Sequence, residues 1–185
     1  SLQVLNMSLG GTSTNTVVNQ AVYSQQLSFA NSSVVPDIVF VKAAGNSACV
    51  INQTNCDPMN AVFFNSPNYK NKSLLVGALN QAGGTIASYS NKAGAYSDIF
   101  LVADGRGLFN STSNSYVEGT SFAAPRVAGY AAILRHKFPN LNAEKSVSIM
   151  LDTARYDTLG CFPNCDPNIY GKGEASLSRA LAPVG

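Results

Sequence analysis

Charge is scarce in this chain. Of its 185 residues, 12% are Asp, Glu, Lys or Arg, about half the roughly 25% usual in soluble proteins. Twelve Lys and Arg against ten Asp and Glu leave a formal charge of +2. They are scattered, so there is no basic face for nucleic acid or an anionic membrane. Histidine is almost missing: His136 stands alone. Apolar runs never approach about 18 residues, which excludes a membrane-spanning helix. No signal-peptide pattern opens the chain. Ser1 to Leu9 read as an interior strand from the first residue, so further sequence is expected upstream. The length suits one domain with a sizeable core, or most of one. Asn, Ser, Gly and Thr supply the polarity that charge does not.

The four cysteines fall in two close pairs, Cys49 with Cys56 and Cys161 with Cys165, each flanked by Asn, Asp and Pro. An even count in a low-charge chain favours two local disulfides and an oxidising compartment, although three connectivities are possible. Zinc is the rival reading, but gaps of six and three residues do not match a C-x2-C knuckle. Sequons at Asn6, Asn31, Asn52, Asn71 and Asn110 are expected mostly by chance in a chain this rich in Asn, Ser and Thr.

The pattern along the chain is strand, helix, strand. Leu2 to Leu9 is mostly apolar and ends in Gly10-Gly11, a backbone that bends or is approached closely. Asn15 to Phe29 carries Val18, Ala21, Val22 and Leu27 at helical spacing. Ile38 to Val41 is a second buried strand leading into Lys42-Ala43-Ala44-Gly45-Asn46. That order predicts a right-handed parallel βαβ unit, whose function would sit at the strand carboxyl ends, here Ser8 to Gly11 and Ala43 to Asn46. Cys49 to Asn71 reads as surface loop, Leu74 to Leu79 and Ile99 to Ala103 as strands, and Ala87 to Gly94 as a turn-rich connection. Asp104-Gly105 begins another loop, Asn110 to Ser115 is polar, and Tyr116-Val117 leads into Gly119-Thr120-Ser121. Further helices are expected at about Ala143 to Thr153, capped by Pro139 to Asn142, and at Glu174 to Ala182.

Gly119-Thr120-Ser121-Phe122-Ala123-Ala124-Pro125 opens a small-residue helical run, with Pro125 expected in the first turn. Ser121 would lie at a helix N-terminus, where free N–H groups and the dipole favour negative charge developing on a substrate oxygen. Two readings fit: a nucleophile seat, or a Thr-Ser cap on a packing helix. Gly45-Asn46 after a strand is likewise, on local grounds, a common turn.

Taken together, five stretches resemble the subtilisin-like serine proteases, the subtilases. Asn6-Met7-Ser8-Leu9-Gly10-Gly11 resembles the family's substrate-binding strand. Ala43-Ala44-Gly45-Asn46 resembles its oxyanion-hole motif, and Gly119 to Gly129 its catalytic-serine motif. Ser88-Tyr89-Ser90-Asn91 and Tyr170-Gly171-Lys172-Gly173 are similar to two further family stretches. All occur in family order. The resemblance implies an α/β, three-layer, parallel-sheet fold, here a C-terminal portion lacking the first strands and helices. It implies an endopeptidase with Ser121 as nucleophile, Asn46 in the oxyanion hole, and Ser8, Leu9, Gly10, Ala43, Ala44 and Gly45 binding substrate. No cofactor is needed for that chemistry. Family members commonly hold structural Ca²⁺, but no carboxylate cluster can be assigned to it. A secreted, extracellular or periplasmic location is expected.

The family's triad runs Asp, His, Ser along the chain. Here no histidine precedes Ser121. His136 follows it by 15 residues, roughly 22 Å at 1.5 Å per helical residue, whereas a serine and its base need about 2.6–3.2 Å. Asp37 lacks the Asp-Thr/Ser-Gly setting of the family's acid. The chain is therefore expected to be inactive alone and to associate with an N-terminal segment bearing Asp and His, which would also cover the edge of the Ser1–Leu9 strand.

Overall fold

The computed structural model describes residues 1–10, 16–32, 34–52, 56, 64–80 and 84–182, with all side chains among them except those of 16–19 and 22. Gly11, the side chains of Val18 and Val22, and much of the expected 49–71 loop lie outside the described residues. Strand β1 (Val4–Met7) leads to helix α1 (Thr16–Ser32), β2 (Val39–Ala43), a single turn α2 (Pro67–Lys70), β3 (Ser73–Leu79) and β4 (Phe100–Asp104). A ribbon of β5 (Arg106–Asn110) and β6 (Ser115–Glu118) follows, then α3 (Thr120–Lys137), α4 (Ala143–Asp152), α5 (Pro167–Tyr170) and α6 (Leu177–Ala180).

Strands β1 to β4 form one parallel sheet in sequence order. Val4 lies opposite Val39, Phe40 opposite Ser73 and Leu75 opposite Phe100. The strands are near-continuous apolar runs because both faces are covered. The two-residue period sends Val39, Val41, Ala43, Leu74, Val76, Leu101 and Ala103 to one face. There they meet Ala123, Ala124, Val127, Ala131 and Leu134 of α3 and Val147 and Met150 of α4. Phe40, Leu75, Phe100 and Val102 go to the other face, against Tyr23 and Ala30 of α1 with Phe64, Tyr96 and Tyr170. The result is the expected three-layer α/β arrangement.

The sheet's beginning is stapled by Arg135, which is 4% exposed. It donates to the carbonyls of Gln3 (2.7 Å) and Asp37 (3.0 Å) and to the Asp37 carboxylate (2.8 Å). The Ala143 N–H donates to the same carboxylate at 2.6 Å. That N–H first, and then Arg135, holds the Asp37 carboxyl below its ordinary value. Asp37 thus opens β2 and ties it to α4.

Several boundaries differ from expectation. The ribbon β5–β6 occupies a stretch expected to be loop, with Phe109 packed edge-on against Tyr116 at 5.2 Å. The last helix spans only Leu177–Ala180, because Glu174 and Ala175 are held extended by Arg155 and Val102. Helix α4 begins as expected, with Asn142 Oδ1 accepting from the Lys145 N–H at 2.8 Å. Pro125 is not in the first turn but inside α3, five residues after Thr120. Both expected cysteine pairings are made, Cys49 with Cys56 and Cys161 with Cys165, which leaves none of these thiols to zinc.

Candidate active site

The carboxyl ends of β1 and β2 and the start of α3 enclose a cavity of about 370 Å³. Ser8, Leu9 and Gly10 form one side, and Ala43, Gly45, Asn46 and Ser47 the other, with Asn91, Thr120 and Ser121 completing it. Of the eight residues expected from sequence to serve chemistry or substrate binding, only Ala44 is not on its lining. It is fully buried, its N–H donating to Val76 O at 2.8 Å and its carbonyl accepting from Asn91. Among the described residues four larger hollows, of about 430 to 780 Å³, lie elsewhere, the most spacious of them between the end of α3 and α4. None of the four includes Ser121.

Ser121 is the second residue of α3, so its N–H is among the first four that the helix itself leaves unpaired. The neighbouring amides are taken: Thr120 N–H by Asn46 Oδ1 at 2.9 Å, Phe122 N–H by Gly119 O at 3.1 Å. Asn46 Oδ1 also accepts from the Thr120 hydroxyl at 2.8 Å, and that hydroxyl accepts from the Gly45 N–H at 3.1 Å. A backbone N–H can only donate, so the amide is oriented with its oxygen toward Thr120 and its Nδ2 donors away from it. A Cβ built at Gly119 would stand 3.2 Å from Ser121 Oγ and 3.5 Å from Asn46 Nδ2. Ser121 Oγ and Asn46 Nδ2 therefore face one small space that glycine keeps open.

Pro125 has no N–H to give to the carbonyl four residues earlier, which is that of Ser121. Ser8 Oγ donates to that carbonyl at 3.1 Å, joining the end of β1 to the first turn of α3. Lys42, 1% exposed, sits in β2 where sequence suggested the strand had ended. Its Nζ donates to Leu9 O and, at 3.0 Å, to Ala43 O, so one ammonium joins the two sides of the cavity.

Sequence reading gave no role to Asn91 or Lys42, and gave Thr120 only a share in a helix cap, a position that Gly119 occupies instead. Asn91 belonged to a recognised stretch, but an Asn beside Ser in a turn-rich segment carries no local sign of what it binds. His136 lies at the far end of the unbroken α3, exposed, and remains about 22 Å from Ser121 along the axis.

The chain matches the Subtilase family over residues 1–173. It is a member of that family. It is 34% identical to Subtilisin DY of Bacillus licheniformis over 182 residues, 97% of this chain and 57% of that protein. It is 28% identical to an extracellular protease of Xanthomonas campestris pv. campestris, over 97% of this chain and 29% of that one. Among solved structures, a protease of Pseudoalteromonas arctica superposes with a TM-score of 0.62 at 28% identity, covering 97% of this chain and 50% of that one. The subtilase chain described here thus spans little more than half of Subtilisin DY, and less of the other two. Among its described residues no helix is long and apolar enough to cross a membrane.

Proposed function

We propose that this chain is the C-terminal portion of a subtilase catalytic domain and supplies the nucleophile and oxyanion hole of a secreted serine endopeptidase. The observation that carries it is the convergence of Ser121 Oγ and Asn46 Nδ2 on the space beside Gly119. The triad Asp and His come from a segment outside these 185 residues, on the same polypeptide or a separate one. Two disulfides and an extracellular relative support the location.

An extended peptide would pair with Ser8-Leu9-Gly10 as an added strand, with Ala43 and Gly45 opposite. Ser121 Oγ attacks the scissile carbonyl as the external histidine takes its proton. The developing oxyanion accepts from Asn46 Nδ2 and the Ser121 N–H, fixed donors that need no reorganisation. Collapse breaks the C–N bond, the amine leaves with the histidine's proton, and water hydrolyses the ester. The cavity walls are small and uncharged, so the residue before the scissile bond is expected to be apolar. A preference for Lys or Arg in a peptide-library assay would overturn that expectation. Among the described residues no three His, Cys, Asp or Glu side chains cluster. We assign no ligands to the structural calcium that the family resemblance implies, since it also takes backbone and amide oxygens, and no step passes through it.

A fluorophosphonate probe tests the reading, because labelling requires an activated serine. The full-length protein should be labelled at Ser121 and the 185-residue chain alone should not. A full-length protein that resists labelling would make this an inactive, substrate-binding relative instead.

A further inference from the structure

The segment carrying Asn46 departs from regular structure. Gly45 has φ +101°, a left-handed value, and Ala48 holds φ +56°, which costs a non-glycine residue energy unless its surroundings enforce it. Beside the Ala48 N–H bond to Tyr89 O at 2.9 Å, one residue supplies four of the hydrogen bonds that hold this segment. Asn91, 1% exposed, donates through Nδ2 to Ala44 O at 2.8 Å. Its Oδ1 accepts from Ser47 N–H at 3.0 Å and Cys49 N–H at 3.1 Å. Its own N–H donates to Gly45 O at 2.9 Å. These four bonds bracket Asn46 on both sides. A Cβ at Gly45 would lie 2.5 Å from Asn91 Nδ2, so glycine is what lets the amide lie flat on the backbone. Asn91 is itself anchored to the sheet: Ser90 Oγ donates to Asn91 O at 2.9 Å and accepts from Ala78 N–H of β3 at 3.0 Å.

We propose that Asn91 is a positioning residue that holds the Ala44–Cys49 segment, and through it the Asn46 amide, in register with Ser121. This rests on Asn46 serving as the oxyanion donor. Thr120 grips the Asn46 side chain while Asn91 grips its backbone neighbours. A donor held at only one end would swing away from the point where the oxyanion forms.

The test is a double-mutant cycle on the full-length protein, scored as kcat and KM separately on a peptide substrate. Asn91→Ala is expected to lower kcat on the order of 10- to 100-fold, since misplacement by about 1 Å can cost 10²-fold. KM should stay within about threefold, as for an interaction made only in the transition state. In an Asn46→Ala background the further effect should shrink to within about twofold, because the two act as one unit. An undiminished fall in that background, or a change in KM alone, overturns the proposal. Should Asn91→Ala not fold, Asn91→Asp keeps the volume and both acceptor contacts while losing the donor to Ala44, and the same cycle applies. Amide hydrogen exchange at Ser47 and Cys49 separates this idea from the enzyme reading. If the full-length protein has no turnover, or Asn46→Ala leaves kcat unchanged, the oxyanion assignment fails. Lost protection at those two amides in Asn91→Ala then still supports the clamp, and retained protection overturns it.

Discussion

The two sides of the cavity are built on different principles. The Ala43–Ser47 side grows out of the sheet interior: Ala43 and Ala44 are buried, and both Asn91 and Thr120 fasten the loop beyond them. The Ser8–Gly10 side is exposed, lies past the last ladder pair at Met7 and Lys42, and is tied down by side chains, Lys42 to Leu9 and Ser8 to Ser121. The difference matches the roles proposed for the two sides. An oxyanion donor is effective only if fixed before charge develops, whereas a strand that pairs with an incoming peptide needs free backbone groups and some freedom to adjust. Damage to the first side should therefore appear in kcat, and damage to the second in KM.

The largest effect expected is on the fixed side. In subtilisin, loss of the oxyanion-hole asparagine costs about 10²–10³ in kcat, and Asn46→Ala in the full-length protein should do the same with KM nearly unchanged. Gly119→Ala should act in the same direction, since its methyl would occupy the space between Ser121 Oγ and Asn46 Nδ2. Steady-state kinetics of both variants decide the matter. A KM effect from Asn46→Ala as large as its kcat effect would erase the contrast between the two sides.

Lys42→Met is the next largest, and it attacks the tie between them. Removing the ammonium takes this donor from the buried Ala43 carbonyl, at about 1–3 kcal/mol, and releases the exposed Leu9 carbonyl to water. A lowered melting temperature and a KM raised several-fold are expected, with kcat less affected. Unchanged KM would mean that Lys42 serves stability alone.

At the opposite end of the same strands, Arg135→Leu should lower stability by roughly 2 kcal/mol, the scale of hydrogen bonds to a charged group, while leaving KM unchanged. The partner Asp37 adds a pH signature. Its carboxyl is held below its ordinary value by the Ala143 N–H and by Arg135. Its contribution is therefore complete above the unfolded carboxyl's pKa, near 4, and disappears as pH falls through the lower folded one. Asp37 is well exposed, so the effect is small. Melting curves between pH 6 and pH 2, compared with Asp37→Asn, should converge only at the acid end.

Much of this was legible in the sequence. The buried strands announced themselves because parallel strands covered on both faces cannot carry polar residues without partners. Lys42 is the exception that moved a boundary, since its charge looked like the end of β2 until its carbonyl partners were seen. Seven of the eight residues proposed for chemistry and substrate binding line one cavity; Ala44 does not, because the alternation of the strand carries it inward. The β5–β6 ribbon was missed because its apolar residues Leu108, Phe109, Tyr116 and Val117 are exposed, with Phe109 packed on Tyr116 across the ribbon. Asn91 was unreadable for a different reason. Its partners lie more than 40 residues earlier, and nothing local marks them.

The smallest predicted effect is also the most discriminating. Ser8 Oγ reaches Ser121 O because Pro125 cannot, so the exposed side depends on a gap in the helix ladder. Ser8→Ala should cost about 1 kcal/mol of stability and raise KM modestly, leaving kcat near its original value. Pro125→Ala supplies an N–H aimed at the same carbonyl. Added to Ser8→Ala, it should restore the melting temperature, because the orphaned acceptor is again paired. KM should not recover, because the new bond lies within α3 and does nothing to hold Ser8-Leu9-Gly10. If the double variant recovers both, the Ser8 contact matters only to the helix, and the exposed side is positioned by Lys42 alone.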